Sequence, residues 1–477
     1  MIMRTLNTIE KALALNLDPL KYGTIAEIGA GQEVARLFFG AGAAAGTVAK
    51  TISAYDMQFS DAIYGLAPGG RYVARPRLES MLETEFRLVE ERIRDSRPKE
   101  STFFAFADTV ATQGYKKRSE CHGWLGVRFQ HSPSAAPDDI ILHVRLLDAT
   151  AFEQQQAVGI LGVNLIYGAY FLAGDTPGLV RSLIDNIEDG RVEVDMIDFG
   201  GPIFDQVDKR LVALEMVQGG LSAAAMISPA GDSLLPADAF YKKHVLAMRG
   251  TFRLVLKTHL DMFDCGRRRF FGESDVDEAD IVALAEIPLS DAMAYGQIDS
   301  NDILARIEQL NMLGFTVLLS SYRRFFELRQ YINRYSRRKV RVVTSLADVL
   351  EIYSESTYTD LKGSILEALG KLFTEDTKLY VYPRLGPDDE IITLESLAVP
   401  EEVIHLFAHF RERELVVPLI DYAEDCLAFE LSAVLQALQN GGNDWKAAVP
   451  PEVHQVIINR DLARSFVADP RQNTRSP

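Results

Sequence analysis

The sequence predicts an α/β fold: a mostly parallel sheet flanked by helices, with a helical N-terminal region and a helical C-terminal cap. Between about residues 100 and 385, short apolar runs alternate with amphipathic stretches. Strands separated by helices of ten or more residues pair in parallel. Hydrophobic residues make up 47% of the 477 residues and charged residues 25%, which is typical of a globular protein. The length suffices for two or three domains.

Changes in pattern along the chain predict five regions. A helical region ends at a polar, proline-containing connector, and two α/β units follow it. Within the first unit, strands are expected at 102–111, 123–130 and 139–148. The predicted regions are 1–95 (helical), 96–290 and 291–398 (α/β), 399–470 (helical cap) and 471–477 (disordered tail).

Charge and cysteine content exclude several classes of protein. Acidic residues outnumber basic ones by 67 to 50, a formal charge of −17, whereas a binder of nucleic-acid polymers needs a basic surface. Cys121, Cys265 and Cys426 form no CxxC pair, so neither a zinc ribbon nor a disulfide framework is expected. The longest apolar stretch, 157–173, contains Asn164 and predicts a buried helix. A cytoplasmic protein without a membrane partner is therefore expected, and homo-oligomerisation stays open.

A glycine-rich segment near the N-terminus resembles a phosphate-binding turn between a strand and a helix. Gly29 and Gly31 form a GxG pair, but Val34 stands where the third glycine of the motif belongs. Asp56 follows at the distance of a ribose-binding acid, provided that the segment before it is a strand. Gly29, Gly31 and Asp56 are therefore a candidate site for a dinucleotide or S-adenosylmethionine. The alternative is a tightly packed pair of helices rich in small residues.

Two of the predicted strands carry basic side chains on one face. His143 and Arg145 alternate with apolar residues, and Arg128 has the matching position on the preceding strand. If the strands are neighbours, the three side chains suit a small anionic ligand, because guanidinium groups match phosphate and carboxylate. The alternative is a solvated sheet face, or a face that is ion-paired with acidic helices. Asp195 and Asp198, further on, suit either magnesium or local backbone contacts, and no metal site is assigned.

A strand, a glycine turn and a helix follow one another near residue 250. The segment resembles the nucleotidyltransferase signature GTFDPVHxGHL. Gly250, Thr251 and Phe252 match it, and so does His259, whereas Leu256 replaces the first histidine. The resemblance implies that Gly250 and Thr251 contact phosphates and that His259 stabilises charge on the transferred group. The alternative is an unrelated turn with a surface histidine.

A second segment resembles another part of the same nucleotidyltransferase family. FTVLLSSYRRF, at 315–325, is similar to the segment ISSTxxR, which holds triphosphate at a helix N-terminus. The resemblance implies that Ser320, Ser321 and Arg324 hold the leaving phosphates. Magnesium bound to a nucleotide is the cofactor it implies.

The chain as a whole resembles an uncharacterised bacterial family of similar length. Members of that family are sometimes labelled nicotinate-nucleotide adenylyltransferase, and the degenerate GTF segment explains the label. The resemblance implies an enzyme that handles a nucleotide or another phosphorylated small molecule, with nucleotidyl transfer as the reaction. The alternative is a non-catalytic ligand-binding or assembly protein. The shared segments are EIGAGQEVAR (27–36), CHGWxGVRFQ (121–130), HVRxLD (143–148) and LYVYP (379–383).

Overall fold

The structure is a computed structural model that describes residues 4–114, 120–290, 293, 298–374 and 376–460. The chain divides into two compact units, Met1–Ala225 (unit 1) and Met226–Pro477 (unit 2). Each unit contains a sheet with flanking helices, which confirms the predicted α/β class. The division differs from the predicted boundaries near residues 95, 290 and 398. The first 95 residues contribute strands to the same sheet as the residues that follow them.

Unit 1 is built on a six-stranded sheet. Its strands are β1 (Lys21–Ile28), β2 (Val48–Ser53), β3 (Thr102–Ala111), β4 (His122–Phe129), β5 (Asp138–Leu146) and β6 (Val192–Gly200). They lie in the order β2-β1-β3-β4-β5-β6. β1 pairs in parallel with β2 and β3, whereas the pairs from β3 to β6 are antiparallel. The three strands predicted between residues 102 and 148 are confirmed.

Helices cover both faces of this sheet. They are α1 (Thr8–Asn16), α2 (Gln32–Ala41), α3 (Met57–Tyr64), α4 (Arg75–Ile93), α5 (Ala151–Phe171), α6 (Thr176–Ser182) and α7 (Lys209–Gln218). α4 lies on one face, where Leu82 approaches Gly126 of β4. α5 lies on the other, where Gly162 approaches Phe106 of β3. α5 contains the long apolar stretch and is buried, as predicted. No helix in the described part of the chain is long and apolar enough to cross a membrane.

The prediction that residues 1–95 are helical is wrong for two segments. β1 and β2 lie between the helices and form the parallel half of the sheet with β3. Residues 23–27 of β1 are all buried, because β1 has a strand on either side and helices on both faces. A strand of this kind lacks the alternation of a half-exposed strand. A short apolar run is therefore easily mistaken for part of a buried helix.

Unit 2 is built on an eight-stranded sheet in the order β16-β13-β12-β9-β10-β11-β7-β8. The strands are β7 (Ala224–Ile227), β8 (Ser233–Leu234), β9 (His244–Arg249), β10 (Ile281–Pro288), β11 (Thr316–Ser320), β12 (Val340–Ser345), β13 (Thr377–Tyr382) and β16 (Val416–Pro418), and a separate hairpin holds β14 (Arg384–Leu385) and β15 (Ile391–Ile392). From β16 to β11 the neighbouring strands are parallel.

The helices of unit 2 alternate with its strands. They are α8 (Pro236–Ala239), α9 (Lys257–Phe271), α10 (Ser300–Met312), α11 (Phe325–Tyr335), α12 (Leu346–Ile352), α13 (Ser364–Leu372), α14 (Ile404–Glu412), α15 (Leu431–Gln439), α16 (Trp445–Ala448) and α17 (Pro451–Asn459). The C-terminal cap is mostly helical, as predicted, and α15 to α17 share an apolar cluster with Leu254 and Leu256. It also adds β16 to the sheet, which corrects the prediction. The tail 471–477 lies outside the described residues.

In both sheets the strand order reverses beside one central strand. β1 has β2 on one side and β3 on the other, and β9 has β10 on one side and β12 on the other. In open α/β sheets, ligands bind beyond the carboxyl ends of the strands where this reversal occurs. The topology therefore directs attention to the ends of β1 and β3 in unit 1, and of β9 and its neighbours in unit 2.

Candidate functional site

The carboxyl edge of β1 and β3 carries two buried carboxyl groups. Glu27 on β1 pairs in register with Asp108 on β3, so both side chains leave the same face of the sheet. Asp108 has no exposed surface, and Glu27 is 3% exposed. The two acids, which we call the carboxyl pair, therefore lie at the strand reversal of unit 1 and are shielded from solvent.

Hydrogen bonding leaves the carboxyl pair under-satisfied. Among the described residues, neither carboxylate oxygen of Asp108 has a hydrogen-bond partner, and Oε1 of Glu27 also lacks one. Oε2 of Glu27 accepts the Gly31 N–H at 3.3 Å. Burial raises the pKa of Asp108 well above its ordinary value, and the charge of Glu27 raises it further. Burial also raises the pKa of Glu27, against hydrogen bonds from Ser53 and Gly31 that lower it.

The predicted glycine turn lies directly over the carboxyl pair, between β1 and α2. Gly29 has φ +108°, and a Cβ there would lie 2.1 Å from the carbonyl oxygen of Val110. A Cβ on Gly31 would lie 1.7 Å from Oδ2 of Asp108. Both positions require glycine because the turn packs against β3 itself. The GxG pair thus follows a strand and opens a helix, rather than lying in a packed pair of helices, and its contact with a cofactor stays a prediction.

Asp56 lies at the same edge of the sheet. It follows the end of β2 by three residues and begins α3, where its Oδ1 accepts the Phe59 N–H at 2.9 Å. An aspartate in this position caps the helix and satisfies one of its free N–H groups. Asp56 is exposed and therefore open to a ligand. Its contact with a ribose stays a prediction.

The predicted polar face of unit 1 has the expected geometry. Arg128, His143 and Arg145 leave the same face of β4 and β5, because the register places Asp139 opposite Arg128, and His143 and Arg145 lie an even number of residues further along β5. Both arginines have carboxylate partners within the unit. Arg128 forms a two-pronged ion pair with Asp139 at 2.8 Å, and Arg145 pairs with Glu193. The ion-paired alternative therefore describes this face.

His143 belongs to a hydrogen-bonded chain that the sequence does not reveal. Its Nδ1 lies 2.5 Å from Oδ1 of Asp195, and its Nε2 lies 3.1 Å from Nδ1 of His122. The register between β5 and β6 shifts next to His143, and this bulge directs Asp195 toward the ring. Asp195 is therefore a partner of a histidine rather than the magnesium ligand considered from the sequence.

Asp198 is also engaged by neighbouring side chains. It pairs with Arg75 at 2.7 Å and with Lys209 at 3.1 Å, and these cations lower its pKa despite its burial. Within the part of the chain that the structure describes, no group of three or more His, Cys, Asp or Glu side chains could hold a metal ion.

A cavity of about 410 Å³ opens between α4 and the polar face. Its charged lining consists of two arginines, Arg75 and Arg128, and four carboxylates, Glu79, Glu83, Asp139 and Asp198. Both arginines are ion-paired, and the carboxylates outnumber them. An anion entering this cavity would meet an excess of negative charge, so the cavity does not favour the small anionic ligand expected at this face.

The two segments predicted to hold phosphate meet at the carboxyl edge of unit 2. Gly250 and the exposed Thr251 follow β9, Ser320 ends β11, and β10 lies between these strands. Glu286 of β10 joins them, since its backbone oxygen accepts the Gly250 N–H at 3.1 Å and its Oε1 accepts the Ser320 hydroxyl at 2.6 Å. Arg249 lies 3.4 Å from Oε2. Glu286 is fully buried, so a carboxyl group of the protein itself lies between the two segments.

His259 is buried and bonds to the backbone at the start of its own helix. The residue is buried, and its Nδ1 accepts the Leu256 N–H at 2.9 Å, which caps the first turn of α9. Burial lowers the pKa of His259 to about 4, so the ring is neutral near pH 7. With Nδ1 in use as an acceptor, the Nε2–H group is the donor that the ring has left. The catalytic role of His259 stays a prediction.

Carboxylates of the protein also bond to the groups that were predicted to bind triphosphate. Glu327 of α11 accepts the N–H groups of Arg323 at 2.7 Å and Arg324 at 2.9 Å. The Arg324 side chain pairs with Asp360. The helix N-terminus and the guanidinium that would hold phosphates are thus already engaged. Ser321 lies in the same turn, and its contact with phosphate stays a prediction.

Sequence reasoning misses both members of the carboxyl pair. Glu27 stands immediately before the glycine turn, and Asp108 interrupts the apolar run FFAFADTVA. An acid inside a run that is otherwise apolar except for Thr109 is the available signal, because such an acid is rarely buried without a partner. The signal becomes readable only when β1 and β3 are known to be neighbours.

Comparisons with known proteins give little further guidance. No protein-family model and no curated protein match the chain. Solved structures that match part of it include a competence/damage inducible protein from Agrobacterium tumefaciens (16% identity, TM-score 0.25, 35% of this chain and 97% of that chain). Proteins of the competence-damaged (CinA) superfamily from Enterobacter cloacae (12%, 0.27, 35% and 95%) and Escherichia coli (12%, 0.25, 35% and 94%) also match. Similarities of this size carry no conclusion about function.

Proposed function

We propose that unit 1 binds a small molecule at the carboxyl edge of β1 and β3 and exchanges a proton with it through Glu27 and Asp108. One observation carries this proposal. Asp108 is fully buried at the strand reversal, and neither of its oxygens has a hydrogen-bond partner among the described residues. A ligand that donates hydrogen bonds would supply the missing partners.

The energetic cost of the carboxyl pair favours a functional role over a structural one. A buried polar group without a partner costs about 1–3 kcal/mol, and Asn or an apolar residue would avoid the added cost of keeping a carboxyl protonated. Perturbed carboxyl groups gathered at a ligand-binding edge are typical of acid–base sites, where burial and a neighbouring acid shift the pKa toward the working pH. Glu27 and Asp108 have both of these properties.

The two acids limit which chemical groups of a ligand can lie at this edge. An amine or a hydroxyl can donate to the carboxyl pair, whereas a phosphate cannot lie against two acids. A nucleotide or another phosphorylated small molecule fits the proposal if its sugar, base or amino group faces Glu27 and Asp108. Nucleotidyl transfer at the edge of unit 2 is not part of the proposal, because His259 is enclosed and Glu327 occupies the turn before α11.

Ligand screening by thermal unfolding tests the proposal. We expect at least one member of a panel of nucleotides, nucleosides, sugar phosphates and amino sugars to raise the melting temperature of the wild type. Asp108→Asn and Glu27→Gln should lose this response. Glu33→Gln is the matched control, because Glu33 lies in the first turn of α2 but pairs with Arg36 outside the carboxyl pair.

Calorimetry of the best ligand in buffers of different ionisation enthalpy then measures proton exchange. The wild type should take up or release protons on binding, and Asp108→Asn should exchange fewer. A panel without any effect on the wild type, or an Asp108→Asn variant with an unchanged response, would contradict the proposal.

A further inference from the structure

A second group with unmet hydrogen bonds lies in the first turn of α4. The side chain of Arg77 is 1% exposed. Its Nη2 donates to Oδ1 of Asp61 at 2.5 Å. Its Nε and Nη1 are buried, and neither has a partner among the residues that the structure describes. Arg77 is therefore a buried cation with more donors than its surroundings satisfy.

The carboxylate of Asp61, with which Arg77 pairs, is itself shared. The other oxygen of Asp61 accepts the hydroxyl of Tyr72 at 2.7 Å, so Asp61 divides its charge between two donors. A guanidinium stays charged at any physiological pH, and a buried charge needs close, charge-matched partners. The partner that Arg77 lacks is an oxygen that accepts hydrogen bonds, and an anionic oxygen is the best match.

Arg77 lies near the strand end that carries the carboxyl pair. The backbone oxygen of Tyr72 accepts the hydroxyl of Thr109, which directly follows Asp108 on β3, at 2.7 Å. The Tyr72 ring is 5.3 Å from the Arg77 guanidinium. Arg77 and the carboxyl pair therefore approach the end of β3 from the two faces of the sheet.

Tyr64 provides a second link between the two groups. Its pKa is raised by burial and by Glu85, and smaller effects come from the charges of Arg77, which lowers it, and Glu27, which raises it. One side chain thus lies within electrostatic range of both Arg77 and the carboxyl pair.

The segment 65–74 precedes the first turn of α4, where Arg77 lies, and contains three glycines. Gly65, Gly69 and Gly70 all have positive φ, between 62° and 80°, and Leu66 is 86% exposed. The two hydrogen bonds of Tyr72, to Asp61 and from Thr109, tie this segment to α3 and β3. Any opening of the segment has to break both of them.

We propose that Arg77 binds an anionic group, phosphate or carboxylate, on the face of the unit 1 sheet opposite the carboxyl pair, with segment 65–74 as the lid. The ligand class is a small molecule that carries such a group. Its anionic oxygens would supply the acceptors that Nε and Nη1 of Arg77 lack among the described residues.

Binding of inorganic phosphate and citrate to the full chain tests the assignment. Thermal unfolding is followed at constant ionic strength, with chloride exchanged for each anion in turn. We expect a saturable rise in melting temperature for the wild type, with at least one anion in the millimolar range. Arg77→Lys, which keeps the charge but loses the planar set of donors, should weaken the apparent affinity at least tenfold. Arg36→Lys is the matched control, because Arg36 is a largely exposed helix arginine and should respond as the wild type does.

A second variant covers the case in which Arg77→Lys does not fold. Asp61→Asn keeps Arg77 and removes its competing carboxylate, so anion binding should tighten at least threefold. Equal responses of the wild type and Arg77→Lys, no saturable response in the wild type, or unchanged binding in Asp61→Asn would each overturn the inference. Asp108→Asn separates the two proposals, since it should keep the response to phosphate while losing the response to the screened ligand.

Discussion

Asp108 and His259 are both buried titratable side chains, and burial favours the neutral form of each by raising the pKa of Asp108 and lowering that of His259. His259 is satisfied by the chain itself, because its free ring nitrogen accepts the Leu256 N–H. Asp108 is not satisfied by any described residue. At the scale of single residues, this difference separates a histidine that stabilises a helix end from an acid with unused hydrogen-bonding capacity.

The capping role of His259 predicts a pH-dependent loss of stability. His259→Ala should lower the free energy of unfolding by about 1–2 kcal/mol at pH 7, which is the typical value of a helix cap. The pKa of His259 falls from 6.5 to about 4 on folding, so its contribution is complete above pH 6.5 and is lost as the pH falls toward 4.

Urea unfolding of the wild type and the variant between pH 7 and pH 4 measures this effect. The difference between the two should shrink on acidification, and His405→Ala, at an exposed helix position, is the control. An unchanged difference across the pH range would contradict the capping role.

Residue-level prediction from the sequence succeeds where alternation alone decides. The shared face of Arg128, His143 and Arg145 follows from period-two alternation and is correct. Their ion-pair partners do not follow, because Asp195 reaches His143 through a bulge in β6 that has no local sequence signature. Long-range pairing has to be known before such partners can be named.

At the scale of elements, the turn between β1 and α2 depends on two glycines for different reasons. The missing Cβ of Gly31 leaves room for the side chain of Asp108, whereas Gly29 faces backbone at Val110 and has positive φ. A side chain can be shortened by mutation, and backbone cannot. The two positions should therefore respond differently to a compensating change at Asp108.

A double-mutant cycle measures this difference. Gly31→Ala and Gly29→Ala should each destabilise the protein by about 1–3 kcal/mol or more. In the Gly31→Ala background, Asp108→Ala should restore at least about 1 kcal/mol of the lost free energy of unfolding. In the Gly29→Ala background it should restore less than about 0.5 kcal/mol. Recovery in Gly31→Ala is partial, because its Cβ would also lie 2.7 Å from Cβ of Glu27. Equal coupling at both positions would show that the turn does not pack on β3 as described.

Burial alone does not decide which strands can be predicted from the sequence. β3 is buried over residues 102–110, and the strand predicted at 102–111 is correct, as are those at 123–130 and 139–148. β1 is buried over residues 23–27 and lies among helices, and the prediction places it in a helical region. The GTF and SSYRR segments do meet at one sheet edge, as the order of motifs suggested. The function inferred from them stays a prediction, because a motif match does not show which way a side chain such as His259 faces.

At the scale of the whole molecule, the two units each have a sheet with one strand reversal, and the division falls at β7. The sequence gives no sign of this division, since strands and helices alternate on both sides of residue 225 without a proline-rich or charged linker. The formal charge of −17 applies to the chain as a whole and does not describe its local sites. Arg77 lacks hydrogen-bond acceptors, whereas the carboxyl pair lacks hydrogen-bond donors, among the described residues.

The pH dependence of global stability reports directly on the carboxyl pair. A carboxyl whose pKa is raised by folding holds its proton more tightly in the native state. Its contribution to stability therefore falls as the pH rises above the ordinary pKa of the group. For Asp108 that ordinary value is 3.8. The wild type should therefore lose stability, relative to Asp108→Asn, as the pH rises from about 4 to 7.

The central claim is that folding raises the pKa of Asp108 at a cost in stability, at the edge where we propose that a ligand binds. The most direct test is the free energy of unfolding, measured by urea titration from pH 4 to pH 8, for the wild type and Asp108→Asn. We predict that the free energy of unfolding of Asp108→Asn rises relative to that of the wild type as the pH increases. At pH 7 the variant should be more stable by at least about 1 kcal/mol, because each unit of pKa shift is equivalent to about 1.4 kcal/mol. Parallel curves, or an Asp108→Asn variant less stable than the wild type at pH 7, would contradict the claim.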